Sequence, residues 1–172
     1  MPASDQEFPM TQSTSRRSML RLFAAGTASA VLAACGSGRA EAKTYPVRFS
    51  DAEWKRKLTP KQYFILRKNG TERPYSSTLL NEHRKGTFVC AADGNPLYSS
   101  ATKYDSGTGW PSFWQPLPGG IATRRDWEAG YPRTEVHCTR CGGHLGHVFN
   151  DGPKPTGKRY CMDGDAMLFK VG

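Results

Sequence analysis

The sequence predicts a mainly antiparallel β-domain preceded by short helices, and three observations carry that reading. Beyond Glu72 the apolar residues come in short runs separated by Gly, Pro, Asn and Asp. No helical period of apolar residues extends past residue 80. Before that point one segment carries both helix signals: Thr59-Pro60 offers a cap and a first-turn proline, and Asn69-Gly70 offers a stop. No internal repeat is visible, so one β-domain is expected.

Taken in order, Trp54, Leu58, Tyr63, Phe64, Ile65 and Leu66 lie among lysines, and residues 60 to 68 are expected as helix. Strands are expected at Gly86–Cys90, Thr134–Cys138, Leu145–Phe149 and Met167–Val171. Gly157 to Asp163 is treated as a further strand. Its period of two would set Arg159, Cys161 and Asp163 on one face.

The chain has 172 residues and a formal charge of +9. Its basic residues after Tyr45 are scattered among acidic and aromatic ones rather than gathered in a run, which argues against a nucleic-acid partner. Removal of an export segment would leave about 130 residues, enough for one core.

That export segment is read from Arg16-Arg17 followed by the uncharged stretch Leu22 to Ala34. The stretch is shorter than the roughly 20 residues a spanning helix needs. It matches a twin-arginine signal instead. Val31-Leu32-Ala33-Ala34-Cys35-Gly36 resembles a lipobox, which makes Cys35 the lipid-bearing mature N-terminus. A plain signal cut after Ala42 is the alternative. The expected organisation is a signal over 1–35, a tether over 36–45 and a folded domain over 46–172, working outside the cytoplasm as a periplasmic lipoprotein that meets the membrane only through its lipid.

The remaining cysteines and histidines carry the chemistry. Cys161 has Arg159 beside it, whose charge favours the thiolate, while Asp163 opposes it. As an isolated cysteine it would read as a small buried hydrophobe. His144 and His147 are three apart, so on a regular strand they face opposite sides, and they can share a site only if the backbone bulges at Gly146. Such a pair can donate protons near neutral pH, and equally serves structure or metal binding. Gly107 to Trp114 is rich in aromatic residues and turns, which suits an aromatic ledge beside a cleft as well as core. Cys138-Thr139-Arg140-Cys141 has zinc-knuckle spacing, and Cys90 with Asp93 is the natural second pair. Three thiolates and a carboxylate can hold a structural zinc, while a disulfide or redox pair is the alternative.

From Leu58 to Phe169 these residues resemble the B-type methionine sulfoxide reductases. The resemblance rests on Gly70-Thr71-Glu72-Arg73-Pro74, Thr102 to Phe113, Arg133-Thr134-Glu135-Val136, His144 to Pro153 and Arg159-Tyr160-Cys161, in that order. It implies two antiparallel sheets forming an open, barrel-like domain, with Cys161 as nucleophile and His144, His147 and Arg159 lining the site. It further implies that Trp110 and Phe149 hold the substrate methyl group and that the R epimer of protein-bound methionine sulfoxide is reduced. The expected partners are oxidised exported proteins and a thioredoxin-like reductant, with the enzyme a monomer that uses no organic cofactor and for which a structural zinc is one reading of the cysteine cluster. The sequence departs from the family at three points. Asp163 stands where Asn is common, Thr108 stands where some members place the resolving cysteine, and Asp93 interrupts the zinc tetrad. Cys90 or an incoming thiol is left as resolver. A non-catalytic zinc-ribbon-like module and a reductase of other sulfoxides or disulfides are the competing readings.

Overall fold

The computed structural model describes residues 44–172. The expected signal, the Cys35 lipidation site and all but the last two residues of the tether lie outside them. Among the described residues no helix is long and apolar enough to cross a membrane.

Two helices open the domain, α1 (Asp51–Lys57) and α2 (Pro60–Lys68). Each begins with a reciprocal cap, Ser50 with Glu53 and Thr59 with Gln62, which satisfies backbone N–H groups that the first turn leaves open. Asn69 closes α2 in the left-handed conformation at φ 54°. The expected helix is therefore found with its boundaries, and α1 is an addition whose Ser-x-x-Glu signal was present in the sequence.

Nine strands follow: β1 (Gly86–Cys90), β2 (Pro96–Ser99), β3 (Lys103–Tyr104), β4 (Ser112–Phe113), β5 (Ile121–Asp126), β6 (Arg133–Cys138), β7 (His144–Phe149), β8 (Arg159–Met162) and β9 (Met167–Val171). They form two antiparallel sheets, ordered β2-β1-β9 and β3-β4-β8-β7-β6-β5. Each sheet keeps two free edges, so the pair is an open arrangement and not a closed barrel.

The core lies where alternate residues of both sheets meet the helices. Phe113, Met162 and Val136 of the larger sheet and Phe88 and Leu97 of the smaller one are wholly buried, with Ile65 and Leu66 of α2 beside them. Tyr98 stacks on Phe113 with ring centroids 4.3 Å apart, and its hydroxyl donates to Met162 Sδ at 3.1 Å. A buried aromatic of this size removes well over 100 Å² of apolar surface from water, so this interior contributes most of the folding energy. Phe113 is core, whereas Trp110, just before β4, is only half-buried and donates from Nε1 to the Glu72 carbonyl. The aromatic stretch is thus not uniformly core.

Candidate active site

The polar face of the six-stranded sheet is organised by register. Tyr104, Ser112, Cys161, His147, Glu135 and Arg124 are successive cross-strand partners from β3 to β5. Directly paired residues in antiparallel strands project to the same side, so this row shares one face. Arg159 and Phe149, also paired, join it two residues along. The Arg159 guanidinium lies 4.3 Å from the Phe149 ring centroid and is held by Asp151 at 3.0 and 2.8 Å.

His144 reaches this face by the irregularity expected at Gly146. On β6 the partners of His144 and Gly146 are the adjacent residues His137 and Val136, so Leu145 is an extra residue in β7. The two histidine rings meet with centroids 5.3 Å apart. Gly146 is required twice over: its φ is +142°, and a Cβ there would collide with the Cys161 carbonyl oxygen.

Each histidine is backed by a carboxylate and each carboxylate by an arginine. His147 Nε2 lies 2.6 Å from Asp126 Oδ2, which also accepts from Arg133 at 2.6 Å. His144 Nδ1 lies 2.9 Å from Glu135 Oε1, and Glu135 is gripped through both oxygens by Arg124. A carboxylate only accepts, so the proton sits on Nε2 of His147 and Nδ1 of His144. Burial pulls the His147 imidazole below its usual value despite Asp126, which keeps it neutral near pH 7. Asp126 is itself resisted by burial, but the Glu128 backbone N–H, His147 and Arg133 together bring it to about 2.

Cys161 is half-buried, and its Sγ lies 3.7 Å from Thr108 Oγ1. Burial pushes the thiol above its ordinary value; Thr108 and Arg159 pull it back, and Asp163 adds to the rise. Arg159 thus acts in the direction expected of it, but desolvation outweighs it. Asp163 is buried just past β8, accepting the Glu72 N–H at 2.9 Å and facing His144 Nε2 at 3.7 Å. Burial raises it to about 7, with the Glu72 N–H and His144 opposing. Glu72 in turn accepts the Gly164 and Asp165 N–H groups, which anchors the turn after Cys161.

A cleft of about 410 Å³ is lined in part by Thr108 and Arg159, both of which act on the Cys161 thiol, and by Tyr104 and Asp151. The Tyr104 hydroxyl is buried with no hydrogen-bond partner among the described residues. Tyr104, Asp126, Glu135, Arg124 and Arg133 had no role assigned from the sequence, although Tyr104, Arg133 and Glu135 lie within the family-like segments. The signal was the repetition of charge at a spacing of two, Arg124 with Asp126 and Arg133 with Glu135, on strands whose neighbours are histidines.

The cysteine knuckle lies at the end of β6, where Cys138 and Cys141 meet Cys90 at the end of β1 and Asp93 from the β1–β2 turn. One donor atom from each lies within 4.8 Å of all the others. Cys90 and Cys141 have Sγ atoms 3.7 Å apart, and Cys138 Sγ is 3.6 Å from Asp93 Oδ2. Two bonds of about 2.3 Å at the tetrahedral angle span about 3.7 Å, so the set fits a four-coordinate zinc. A disulfide needs an S–S distance of about 2 Å, and the four described cysteines are all free. Asn95 Nδ2 and the Gly143 N–H each point at a sulfur, Cys138 and Cys141 respectively, at 3.4 Å. Cys90 belongs to this cluster and to the smaller sheet, away from the strand of Cys161.

A cysteine and two histidine–carboxylate couples thus share one sheet face, an arrangement that suits thiol-based enzyme chemistry. Residues 58–171 match the SelR domain. Over 127 residues the chain is 54% identical to a peptide methionine sulfoxide reductase MsrB of Leptospira interrogans, covering 73% of this chain and 97% of that protein. The MsrB of Agrobacterium fabrum is 53% identical over 125 residues, covering 72% of this chain and 93% of that protein. The chloroplastic peptide methionine sulfoxide reductase B1 of Arabidopsis thaliana is 49% identical over 119 residues, covering 69% and 59%. The chain belongs to the SelR family, the B-type peptide methionine sulfoxide reductases.

Proposed function

We propose that this chain repairs protein-bound methionine R-sulfoxide by attack of the Cys161 sulfur on the sulfoxide sulfur. The observation that carries the reading is the shared face of Cys161 and His147 on adjacent strands. Neutral His147, its proton held on Nε2 by Asp126, has Nδ1 open to take the thiol proton. The thiolate then attacks, and the imidazolium returns the proton to the departing oxygen. The S–S bond formed by the attack then breaks as the protonated oxygen passes from the substrate sulfur to Cys161 Sγ, leaving a sulfenic acid there; the substrate sulfur is reduced by two electrons, the cysteine sulfur is oxidised by two, and methionine leaves. Trp110 and Phe149 offer the apolar surface that suits the substrate methyl group, and Arg159 fixes the Phe149 ring.

A second thiol must displace water from the sulfenic acid, forming a disulfide that a further thiol reopens. Cys90 is wholly buried within the four-donor cluster, which favours a thiol of a thioredoxin-like reductant as resolver. Zinc held by Cys90, Asp93, Cys138 and Cys141 would tie the β1–β2 turn to the β6–β7 connection and take no part in the redox step. The signal-like Arg16-Arg17 and Leu22 to Ala34 pattern and the lipobox-like sequence at Cys35 support export to the periplasm, tethering to a membrane through lipid and action on exported proteins.

The test is a single turnover without reductant. The expected result is about one methionine released per protein with a dimedone adduct on Cys161; methionine release with no adduct at Cys161 contradicts the reading.

A further inference from the structure

A succession of four polar contacts leads away from the reactive sulfur. Cys161 Sγ meets Thr108 Oγ1 at 3.7 Å, Thr108 Oγ1 meets Ser106 Oγ at 2.8 Å, Ser106 Oγ meets Ser112 Oγ at 2.7 Å, and Ser112 Oγ donates to the Trp110 carbonyl at 3.1 Å. Ser112 is fully buried beneath the loop that carries the other two hydroxyls. One end of this line is a carbonyl, which can only accept.

Proton supply fixes the two states of the line. With Cys161 as a thiol, its S–H and the three hydroxyls supply four protons for four links, and every link is filled when all point toward Trp110. Thr108 then accepts from sulfur. With Cys161 as a thiolate, three protons remain. If the hydroxyls kept their direction, the sulfur anion would have no donor from Thr108. Rotation of all three gives Ser112 to Ser106, Ser106 to Thr108 and Thr108 to the anion, and leaves only the Trp110 carbonyl unfilled. A hydrogen bond to an ion outweighs one between neutral groups, so the rotated state is the stable one once Cys161 ionises. No proton travels along the line, because the carbonyl cannot take one. The thiol proton leaves on the other side, toward His147 or solvent.

We propose that Thr108, Ser106 and Ser112 form a reversible hydrogen-bond relay that accepts from the Cys161 thiol at rest and turns to donate to the Cys161 thiolate. Thr108 touches the reacting sulfur, while Ser106 and Ser112 are positioning residues that act through it. The relay rests on the reading of Cys161 as the attacking thiol. The other groups facing that sulfur are Arg159 from its own strand, Asp163 beyond the strand end, His147 from β7 and Tyr104 from β3. None of them is altered by the variants below.

The experiment measures the pH dependence of iodoacetamide alkylation in the full chain, read by mass spectrometry on the peptide containing Cys161. It needs no turnover, so loss of sulfoxide reduction and loss of the relay are separate results. Thr108→Val, which keeps shape and removes the hydroxyl, is expected to raise the alkylation midpoint by about one pH unit, or about tenfold in thiolate population. Thr108→Ser should restore the wild-type midpoint. Ser106→Ala and Ser112→Ala should shift it the same way as Thr108→Val by a smaller amount. A wild-type midpoint in Thr108→Val overturns the proposal. So does a shift that Thr108→Ser fails to restore, since packing would then be its cause. Unmoved midpoints in both serine variants overturn the relay beyond Thr108.

Discussion

Cys161 of β8 and His147 of β7 are direct cross-strand partners, and the pairing places a neutral imidazole next to a thiol that burial holds in its protonated form. In the proposed mechanism the base that removes the proton and the acid that returns it are one group. His147→Ala is expected to lower kcat by about 100-fold with KM little changed. Asp126→Asn, which frees the ring tautomer, should give a smaller loss of the same kind. Steady-state kinetics on a sulfoxide-containing peptide checks both.

Asp163 makes stability depend on pH. Its ordinary value is 3.8 and burial lifts it to about 7, so across that window the folded chain holds a proton that the unfolded chain has lost. Stability therefore falls as pH rises from about 4 through 7. Asp163→Asn keeps the shape and removes the titration. Its melting temperature should exceed that of the wild type at pH 8 by more than it does at pH 5, as read by calorimetry.

The four-donor cluster predicts about one zinc per chain, with Cys138→Ser losing the metal and lowering the melting temperature by about 10 °C or more. Asp93→Cys should retain zinc in competition with a chelator for longer than the wild type, because thiolate is the softer ligand. Metal analysis together with thermal melts tests the pair.

Gly146 should not tolerate a side chain. Gly146→Ala forces a Cβ against the Cys161 carbonyl at φ +142°. The expected cost is about 2 kcal/mol or more, with activity lost in the fraction that folds. Denaturant unfolding and kinetics on the same sample give both numbers.

Much of this arrangement was legible in the sequence because it is local. The caps of α2, the strands β1 and β9, and the bulge at Gly146 each follow from residues within a few positions of one another. The carboxylates behind the histidines were not legible, because Asp126 and Glu135 meet His147 and His144 only after three strands align in register. Arg159 was read correctly as a neighbour of Cys161, but the sequence does not reveal how much water the fold removes from that thiol. The relay through Thr108 was hidden for a similar reason. It depends on a loop bringing Ser106 over Ser112, six residues away.

With Cys161 as the attacking thiol in a chiral site, one epimer of methionine sulfoxide is reduced and the reaction depends on that residue. The most direct measurement is turnover of the R and S sulfoxides of a methionine-containing peptide by the full chain with dithiothreitol, alongside Cys161→Ser. Reduction of the R form alone, with none by the variant, is the expected result. Equal use of both epimers, or activity that survives loss of Cys161, would contradict it.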